Sequence, residues 1–324
     1  MKSFTVVLSI MLTFLSCKKS DNVDNNINHR QKMVDLVIAI SKYSKTINPN
    51  FNIVPQNGIE LVSRNGNNLG QPNTEYLNAI DANGQEDLFY GYDSDDQATP
   101  NDIKNNLVAF LQIPKKYGKK ILVTDYCSTN SKMNDSYNEN NNVGFSSFAA
   151  NKRELSNIPN YPITITQENN SNITSINQVK NFLYLINPTN YTNKTNFINS
   201  ISTTNYDLLI IDLFFNDQVA FTASEINQLK IKANGGKRLV ISYMSIGEAE
   251  NYRYYWQSSW NYNKPVWLDK ENPKWAGNFT VKYWYPEWQS IIYGNDNSYL
   301  KKILNSNFDG VYLDIIDAFE FYEK

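Results

Sequence analysis

Apolar and β-branched runs recur along the chain, and they alternate with segments whose apolar residues return at helical spacing. Several runs are almost continuously hydrophobic, which is typical of parallel strands covered on both faces. The runs that predict strands are residues 51–55, 79–82 leading to Glu86, 120–126, 144–148, 182–186, 206–212, 238–243 and 310–315.

The intervening segments predict helices. Residues 31–43 carry an apolar stripe at helical spacing, formed by Met33, Leu36, Val37, Ile40 and Tyr43. Residues 101–111, 222–233 and 299–305 have similar patterns, and Thr222 with Glu225 resembles a capped helix start. Eight strands alternating with helices indicate the α/β class and favour a single-domain (β/α)8 TIM barrel.

The first residues predict a targeting segment rather than part of the fold. Lys2 precedes an apolar run, residues 6–15, that is too short to span a bilayer. The end of this run resembles a bacterial lipoprotein cleavage site, which predicts a signal peptide over 1–16, lipidation of Cys17 and a polar tether over 17–30. The expected location is the bacterial cell envelope, with a lipid anchor in the outer membrane or at the cell surface. The alternative is an ordinary secretory signal with an incidental cysteine.

Composition narrows the chemistry. A formal charge of -2 and a pI near 5.6 provide no basic field for nucleic acid. His29 is the single histidine, so a Ser-His-Asp triad or a histidine zinc site would have to use it. Cys127 is the only cysteine besides Cys17, and no P-loop or dinucleotide fingerprint occurs. We therefore expect no cofactor and no metal, and acid–base chemistry that falls on carboxylates.

Active sites of barrel enzymes lie at the carboxyl ends of the strands. The polar residues at the predicted strand ends are Gln56, Asn57, Glu86, Asp125, Tyr126, Asn187, Asp212, Tyr243, Asp314 and Asp317. An acid at the end of a buried strand is costly unless it is hydrogen-bonded or functional, which makes Asp314 the leading catalytic candidate. The alternative is an aspartate that caps its loop.

Three C-terminal motifs suggest a family. Residues 243–253 (YMSIGEAENYR), 281–285 (VKYWY) and 309–317 (DGVYLDIID) resemble the first half of the glycoside hydrolase barrel family that contains the endo-α-1,4-polygalactosaminidases, glycoside hydrolase family 114. Motifs that resemble the second half of the family come earlier in the chain, at residues 55–58, 84–91 and 123–126.

The order of these motifs resembles a circular permutation. Residues 31–156 would be the family's C-terminal half, 157–179 a linker and 180–324 the N-terminal half, with both new termini in one βα connection. The alternative is a truncated protein with an unrelated N-terminal sequence.

The resemblance implies hydrolysis of an O-glycosidic bond, endo-acting on an α-linked, galactosaminan-like polysaccharide, by a monomer. It implies that Asp314 is the nucleophile or charge stabiliser and that Glu86 is the general acid, its pKa raised by burial. Glu86 is alternatively an acid at a helix N-terminus. Whether cleavage retains or inverts configuration depends on the distance between the carboxyl groups, which the sequence leaves open.

Other residues are expected to bind substrate. They are Gln56, Asn57, Asp125, Tyr126, Asp212, Tyr243, Glu248, Glu250, Arg253, Trp284 and Asp317. Trp284 is chosen among six tryptophans because its segment resembles the family's cleft-lining loop. Alternatively, Glu250 and Arg253 form a structural salt bridge, and Asp125 and Asp212 cap loops.

Two other protein classes stay open. One is a non-catalytic carbohydrate-binding lipoprotein on the same barrel, in which Glu86 and Asp314 need not lie close together. The other is a structural lipoprotein whose strand-end acids are all paired in salt bridges.

Overall fold

The computed structural model describes residues 27–216 and 219–323. The predicted signal peptide and Cys17 lie outside the described residues. The α-helices in the described ranges are α1 His29–Ile47, α2 Thr74–Ala79, α3 Asn101–Lys116, α4 Asn130–Asn142, α5 Lys194–Ser202, α6 Ala223–Leu229, α7 Pro286–Ile292, α8 Tyr299–Asn305 and α9 Ala318–Tyr322. Short 3₁₀ helices span Ile59–Val62, Ile176–Gln178 and Ser258–Asn261.

All eight predicted strands are confirmed, with ends shifted by a few residues. The strands of the described chain are β1 Asn52–Pro55, β2 Ala82–Glu86, β3 Lys120–Tyr126, β4 Ser146–Ala150, β5 Phe182–Tyr184, β6 Leu208–Asp212, β7 Phe214–Phe215, β8 Val219–Ala220, β9 Leu239–Ser245, β10 Glu248–Glu250, β11 Leu268–Glu271, β12 Asn278–Val281 and β13 Gly310–Asp314. The four predicted helices are also confirmed, as α1, α3, α6 and α8.

The predicted strands form two parallel sheets. One has the order β1-β13-β9-β6-β5 and the other the order β2-β3-β4. An isolated parallel bridge between Gln56 and Gly84 connects the first edge of each sheet. At the other edges the ring of Phe148 on β4 lies 5.9 Å from that of Phe182 on β5. The fold is therefore mixed α/β with parallel strands whose carboxyl ends point in one direction.

Apolar residues cover both faces of these strands. β9 is buried along its whole length, as its continuous hydrophobic run predicts. Helix α1 buries Met33, Val37 and Ile40 completely, and each such side chain contributes about 1.5–3 kcal/mol relative to an exposed one. Packing of this stripe, rather than helix propensity, holds α1 in place against its neighbouring helices α2, α8 and α9.

Helix α1 lies beside the last helix of the chain. Arg30 Nη2 is 3.3 Å from Glu323 Oε2, and its guanidinium lies 4.5 Å from the centre of the Phe319 ring on α9. Strand β1, which follows α1, pairs in parallel with β13, which precedes α9. The first and last elements of the described chain are therefore spatial neighbours.

Two small antiparallel sheets were not predicted. They are the β7–β8 hairpin and the sheet β10-β12-β11. The predicted linker, residues 157–179, has one short 3₁₀ helix and packs on a buried ion pair in which Lys232 Nζ lies 2.6 Å from Asp207 Oδ1. In the ranges that the structure describes, no helix is long and apolar enough to cross a bilayer.

Candidate active site

The carboxyl ends of the strands open into a cleft of about 540 Å³. The strand-end residues that line it are Gln56, Asn57, Glu86, Tyr126, Asn187, Asp212, Tyr243, Asp314 and Asp317, together with Glu248, Glu250 and Arg253 from the segment after β9. Most of the polar residues predicted from the strand ends therefore line the cleft.

One amide joins the two candidate catalytic carboxylates. Gln56 Nε2 donates a hydrogen bond of 2.9 Å to Glu86 Oε2 and one of 2.8 Å to Asp314 Oδ1. Because the same nitrogen contacts both, these two oxygens lie within about 6 Å of each other, as hydrogen-bond geometry requires. Gln56 reaches both because β1 pairs with β13 on one side and meets β2 on the other.

Neutral donors hold Glu86 in place. Asn57 Nδ2 donates to Glu86 Oε2 at 3.0 Å, and the Tyr126 hydroxyl donates to Oε1. Asn57 Oδ1 also accepts the Glu86 backbone N–H at 3.0 Å. Asn57 adopts φ 58° just after β1, a left-handed conformation that asparagine tolerates better than most residues.

Neutral donors also surround Asp314. The Tyr243 hydroxyl donates to Oδ2 at 2.7 Å. Burial raises the pKa of Asp314, while the bonds from Tyr243 and from the Ile315 backbone oppose that rise. Burial, and next the charge of Asp314, raise the pKa of Glu86. Both carboxyl groups are therefore harder to ionise than a solvent-exposed acid, and a negative charge on Asp314 favours the protonated form of Glu86.

Asp317 forms the wall of the cleft next to Asp314. Burial, and then the nearby Glu320, raise the pKa of Asp317 to about 7. It lines both the main cleft and a neighbouring hollow that also contains Glu60 and Glu320. This side of the site is therefore strongly acidic.

Arg253 connects two other predicted substrate-binding acids. It forms a bidentate pair with Asp212, with distances of 2.9 and 2.6 Å, and its Nε lies 2.7 Å from Glu250 Oε2. All three side chains are buried. This geometry matches the alternative in which Glu250 and Arg253 form a structural salt bridge. Both oxygens of Glu250, and both oxygens of Asp212, accept hydrogen bonds from the Arg253 guanidinium.

Two expected substrate contacts lie away from the cleft. Asp125 is fully buried behind β3, where it accepts bonds from Ser136, Asn140 and the Phe89 backbone. Trp284 packs against the rings of His29 and Tyr322, at 4.7 and 4.8 Å. Neither is among the residues that line the cleft, so the expectation of sugar contact is corrected for both.

Several cleft residues escaped the sequence analysis. Arg153, three residues after β4, stacks 3.9 Å from the centre of the Tyr126 ring and pairs with Asp87 and Asp95. The strand-end rule, extended by a few residues, would have found it. Trp275 lies in the turn between β11 and β12 and is half-exposed in the cleft. No spacing pattern singles it out from the other tryptophans.

In the described ranges, no group of three or more His, Cys, Asp or Glu side chains has an arrangement that could hold a metal ion. Cys127 is buried, and burial raises the pKa of its thiol. These residues therefore provide neither a thiolate nucleophile nor a ready cation site.

Two adjacent buried carboxyl groups at the carboxyl ends of parallel strands are an arrangement that glycoside hydrolases use. The model of glycoside-hydrolase family GH114 matches residues 164–323, just under half of the chain, and this match supports assignment of the chain to that family. The match includes β13 with Asp314, whereas Glu86 lies before it.

Curated relatives match over a similar length. The chain is 44% identical over 129 residues to an uncharacterized protein of Methanocaldococcus jannaschii, MJ1477, covering 39% of this chain and 35% of that protein. It is 39% identical over 124 residues to an uncharacterized Thermotoga maritima protein, covering 38% and 36%. The chain therefore spans little more than a third of the length of these relatives. A crystal structure of Aspergillus fumigatus Ega3 in complex with galactosamine matches at 24% identity over 43% of each chain, with a TM-score of 0.27.

A stability measurement tests the protonation of the pair. The folded-state pKa values of Glu86 and Asp314 are raised, so their favourable contribution is complete below the unfolded pKa values and is lost as pH rises through the folded ones. We expect Glu86→Gln to be more stable than the parent at pH 8 by at least about 1 kcal/mol, because a tenfold change in proton affinity corresponds to ~1.4 kcal/mol.

The measurement is urea unfolding of both proteins at pH 5 and pH 8. At pH 5 the gain should largely vanish. The matched control is Glu75→Gln on the exposed face of α2, where the same chemical change should leave the pH dependence as in the parent. An equal effect of Glu86→Gln at both pH values would contradict the raised pKa.

Proposed function

We propose that the protein is an endo-acting glycoside hydrolase that cleaves an α-linked, galactosaminan-like polysaccharide with retention of configuration. Glu86 is the general acid and base, and Asp314 is the nucleophile. The observation that carries the proposal is the single Gln56 nitrogen that contacts both carboxylates.

The proposed reaction has two steps. Asp314 attacks the anomeric carbon while the bond to the leaving oxygen breaks, and Glu86 gives its proton to that oxygen. Glu86, now ionised, then takes a proton from water, which attacks the same carbon and releases Asp314. The Gln56 amide holds both groups in register throughout, because its two N–H bonds point at them simultaneously.

Carboxylate spacing supports retention. Retaining enzymes place the two carboxyl groups about 5–5.5 Å apart, and inverting enzymes need about 6.5–9.5 Å to admit a water molecule. Because one Gln56 nitrogen contacts both residues, the distance between the contacted oxygens of Glu86 and Asp314 falls in the range of retaining enzymes. The short distance also argues against a non-catalytic carbohydrate-binding protein, in which Glu86 and Asp314 would have no need to lie close together.

The partners of these acids argue against a purely structural protein. Such a protein would pair its strand-end acids with cations, as Asp212 is paired with Arg253. Glu86 and Asp314 instead accept bonds from amides and hydroxyl groups. Buried carboxylates without a cation cost stability, and functional sites accept that cost.

We also propose that the two sheets form one closed, circularly permuted (β/α)8 barrel. The parallel bridge at Gln56–Gly84, the pairing of β1 with β13 and the packing of α1 beside α9 support it. The family match over residues 164–323 agrees with this order, because a linear model aligns with only one half of a permuted chain. Residues 31–156 would then complete the family's second half.

For the whole protein, we propose a monomer attached to the bacterial cell envelope by a lipid on Cys17. The polar residues after Cys17 would act as a spacer between the membrane and the catalytic domain. This arrangement suits an enzyme whose substrate is an extracellular polysaccharide too large to enter the cell. Incorporation of labelled palmitate into the protein, and its loss in Cys17→Ser, tests the anchor.

A polysaccharide panel tests the activity. The protein is incubated with α-1,4-linked galactosamine polymer, its N-acetylated form and neutral α-glucans, and new reducing ends are counted. We expect internal cleavage of the galactosamine polymer, seen as a rapid fall in polymer length. Binding of the polymer without new reducing ends would instead indicate the non-catalytic carbohydrate-binding protein.

A further inference from the structure

The cleft has an excess of negative charge that its own cations do not neutralise. Six carboxylates and two arginines line it. Arg253 is engaged by Asp212 and Glu250, and Arg153 by Asp87 and Asp95. Asp314, Asp317 and Glu248 therefore contribute the negative charge that a ligand meets, and a cationic ligand is favoured over an anionic one.

Glu248 is a buried carboxylate that no cation of the described chain pairs with. The residue is 3% exposed, and its Oε1 accepts a bond of 2.8 Å from the Asn272 amide. Burial raises the pKa of Glu248, and the nearby Glu250 raises it further. A buried acid with only amide partners is stabilised by a ligand that brings a positive charge.

The position of Glu248 relates it to Asp314 rather than to Glu86. Strand β9 pairs with β13 so that Ser245 lies beside Asp314, and the Ile246 N–H donates to the Asp314 carbonyl at 3.1 Å. Glu248 follows two residues later, and its charge contributes to the raised pKa of Asp314. Glu248 therefore lies on the Asp314 side of the cleft that both residues line.

Trp275 is presented to the cleft by a tightly bonded turn. The Trp275 N–H donates to the Asn272 carbonyl at 3.2 Å, and the Trp275 carbonyl accepts from the Asn278 N–H at 3.1 Å. The indole is nonetheless 50% exposed. A rigid, half-exposed aromatic ring in a polar cleft offers a flat apolar surface at low entropic cost.

One residue links these two features. Asn272 holds the Trp275 turn through its backbone and donates its side-chain amide to Glu248. The turn and the acid are thus fixed relative to each other, and both line the same cleft. Such mutual support is what a preorganised binding site requires.

We propose that Glu248 and Trp275 form a specificity subsite for an amino-sugar unit, in which Glu248 binds the ammonium group and Trp275 stacks on the apolar face of a ring. The proposal rests on the proposed function, which it deepens by assigning substrate charge and ring recognition to separate residues. Removing Glu248's charge should sharply reduce discrimination between free and acetylated amines. Removing the Trp275 indole should weaken the binding of free-amine and acetylated ligands to the same extent.

Binding measurements on the full protein with Glu86→Gln, which suppresses hydrolysis, test this division. The probes are an α-1,4-linked galactosamine oligomer and its fully N-acetylated counterpart, titrated calorimetrically at about pH 6, where the amine is protonated. We expect added Glu248→Gln to weaken the free-amine oligomer about tenfold or more, as loss of a charge-assisted bond does, and to change the acetylated one less than about twofold. Added Trp275→Ala should weaken both about five- to tenfold.

The controls separate binding from folding. Glu248→Gln keeps an acceptor for Asn272, so its urea unfolding midpoint should stay near that of the Glu86→Gln parent. Trp284→Phe alters a tryptophan that lies outside the cleft, and it should leave both affinities unchanged. Equal weakening of the two oligomers by Glu248→Gln, or unchanged binding in either variant, would overturn the subsite.

A parallel assay of new reducing ends keeps the two proposals apart. If the unsubstituted protein cleaves galactosamine polymer while Glu248→Gln and Trp275→Ala leave binding unaltered, the subsite is wrong and the hydrolase stands. If the binding pattern holds and no polymer is cleaved, the subsite stands and the hydrolase falls. Failure of Glu86→Gln to bind either oligomer would overturn the subsite.

Discussion

Replacing Asp314 by Asn is expected to lower the initial rate of polymer cleavage by at least about a thousandfold, because the variant has no nucleophile for the anomeric carbon. The amide oxygen can still accept from Gln56 and the amide nitrogen can donate to the Tyr243 hydroxyl, so the surroundings are retained. The rate of new reducing ends, measured at saturating polymer, gives the effect.

The matched control is Asp102→Asn in the first turn of α3, because Asp102 is exposed and does not line the cleft. It should cleave at the parental rate. Glu86→Gln should also be strongly impaired, by about 10²–10⁴-fold, as general acids are. An Asp314→Asn variant within tenfold of the parent would remove Asp314 from the reaction.

Replacing Arg253 by Met is expected to destabilise the protein by about 3–5 kcal/mol, because it leaves Asp212 and Glu250 buried without their cation. Arg253→Lys should lose less, since it keeps the charge but cannot form the bidentate pair. Urea unfolding of both variants at neutral pH measures the free energy of unfolding.

Arg30→Met provides the comparison, because its pair with Glu323 is partly solvent-exposed. It should change the free energy of unfolding by less than about 1 kcal/mol. A comparably small effect of Arg253→Met would mean that Asp212 and Glu250 do not depend on Arg253. That result would favour the expectation that Asp212 and Glu250 bind substrate.

The contrast between Asp125 and Tyr126 explains one limit of the strand-end rule. Consecutive residues of a strand face opposite sides of the sheet, so only one of the two can line the cleft. Tyr126 points to Glu86, and Asp125 points to Ser136 and Asn140 on α4. Parity along β3 would have assigned these sides from the sequence.

Strands such as β6 and β9 were predictable because burial on both faces leaves a continuous apolar run. The sheet β10-β12-β11 was not, because its strands are short and carry polar residues such as Glu248, Glu271 and Asn278. Trp275 depends on that sheet for its position, which is why no sequence pattern favours it over Trp284. The motif around Trp284 marked a segment, but the side chain packs under α1 and α9.

The contact of Gln56 with both carboxylates also could not be predicted from the sequence. Gln56 and Glu86 are 30 positions apart, and Gln56 and Asp314 are 258 apart. Only the pairing of β1 with β13 and its bridge to β2 bring the three together. The strand ends identified the candidates, and the strand order determined the distance between them.

The most direct test of the catalytic pair is the anomeric configuration of the first-formed product. Cleavage of α-linked galactosamine polymer is followed by proton NMR from the earliest time points, before mutarotation mixes the anomers. Because Gln56 holds the contacted oxygens of Glu86 and Asp314 within about 6 Å of each other, we expect the new reducing end to appear first as the α anomer. Initial appearance of the β anomer would contradict it, because inversion requires a water molecule between carboxylates that are farther apart.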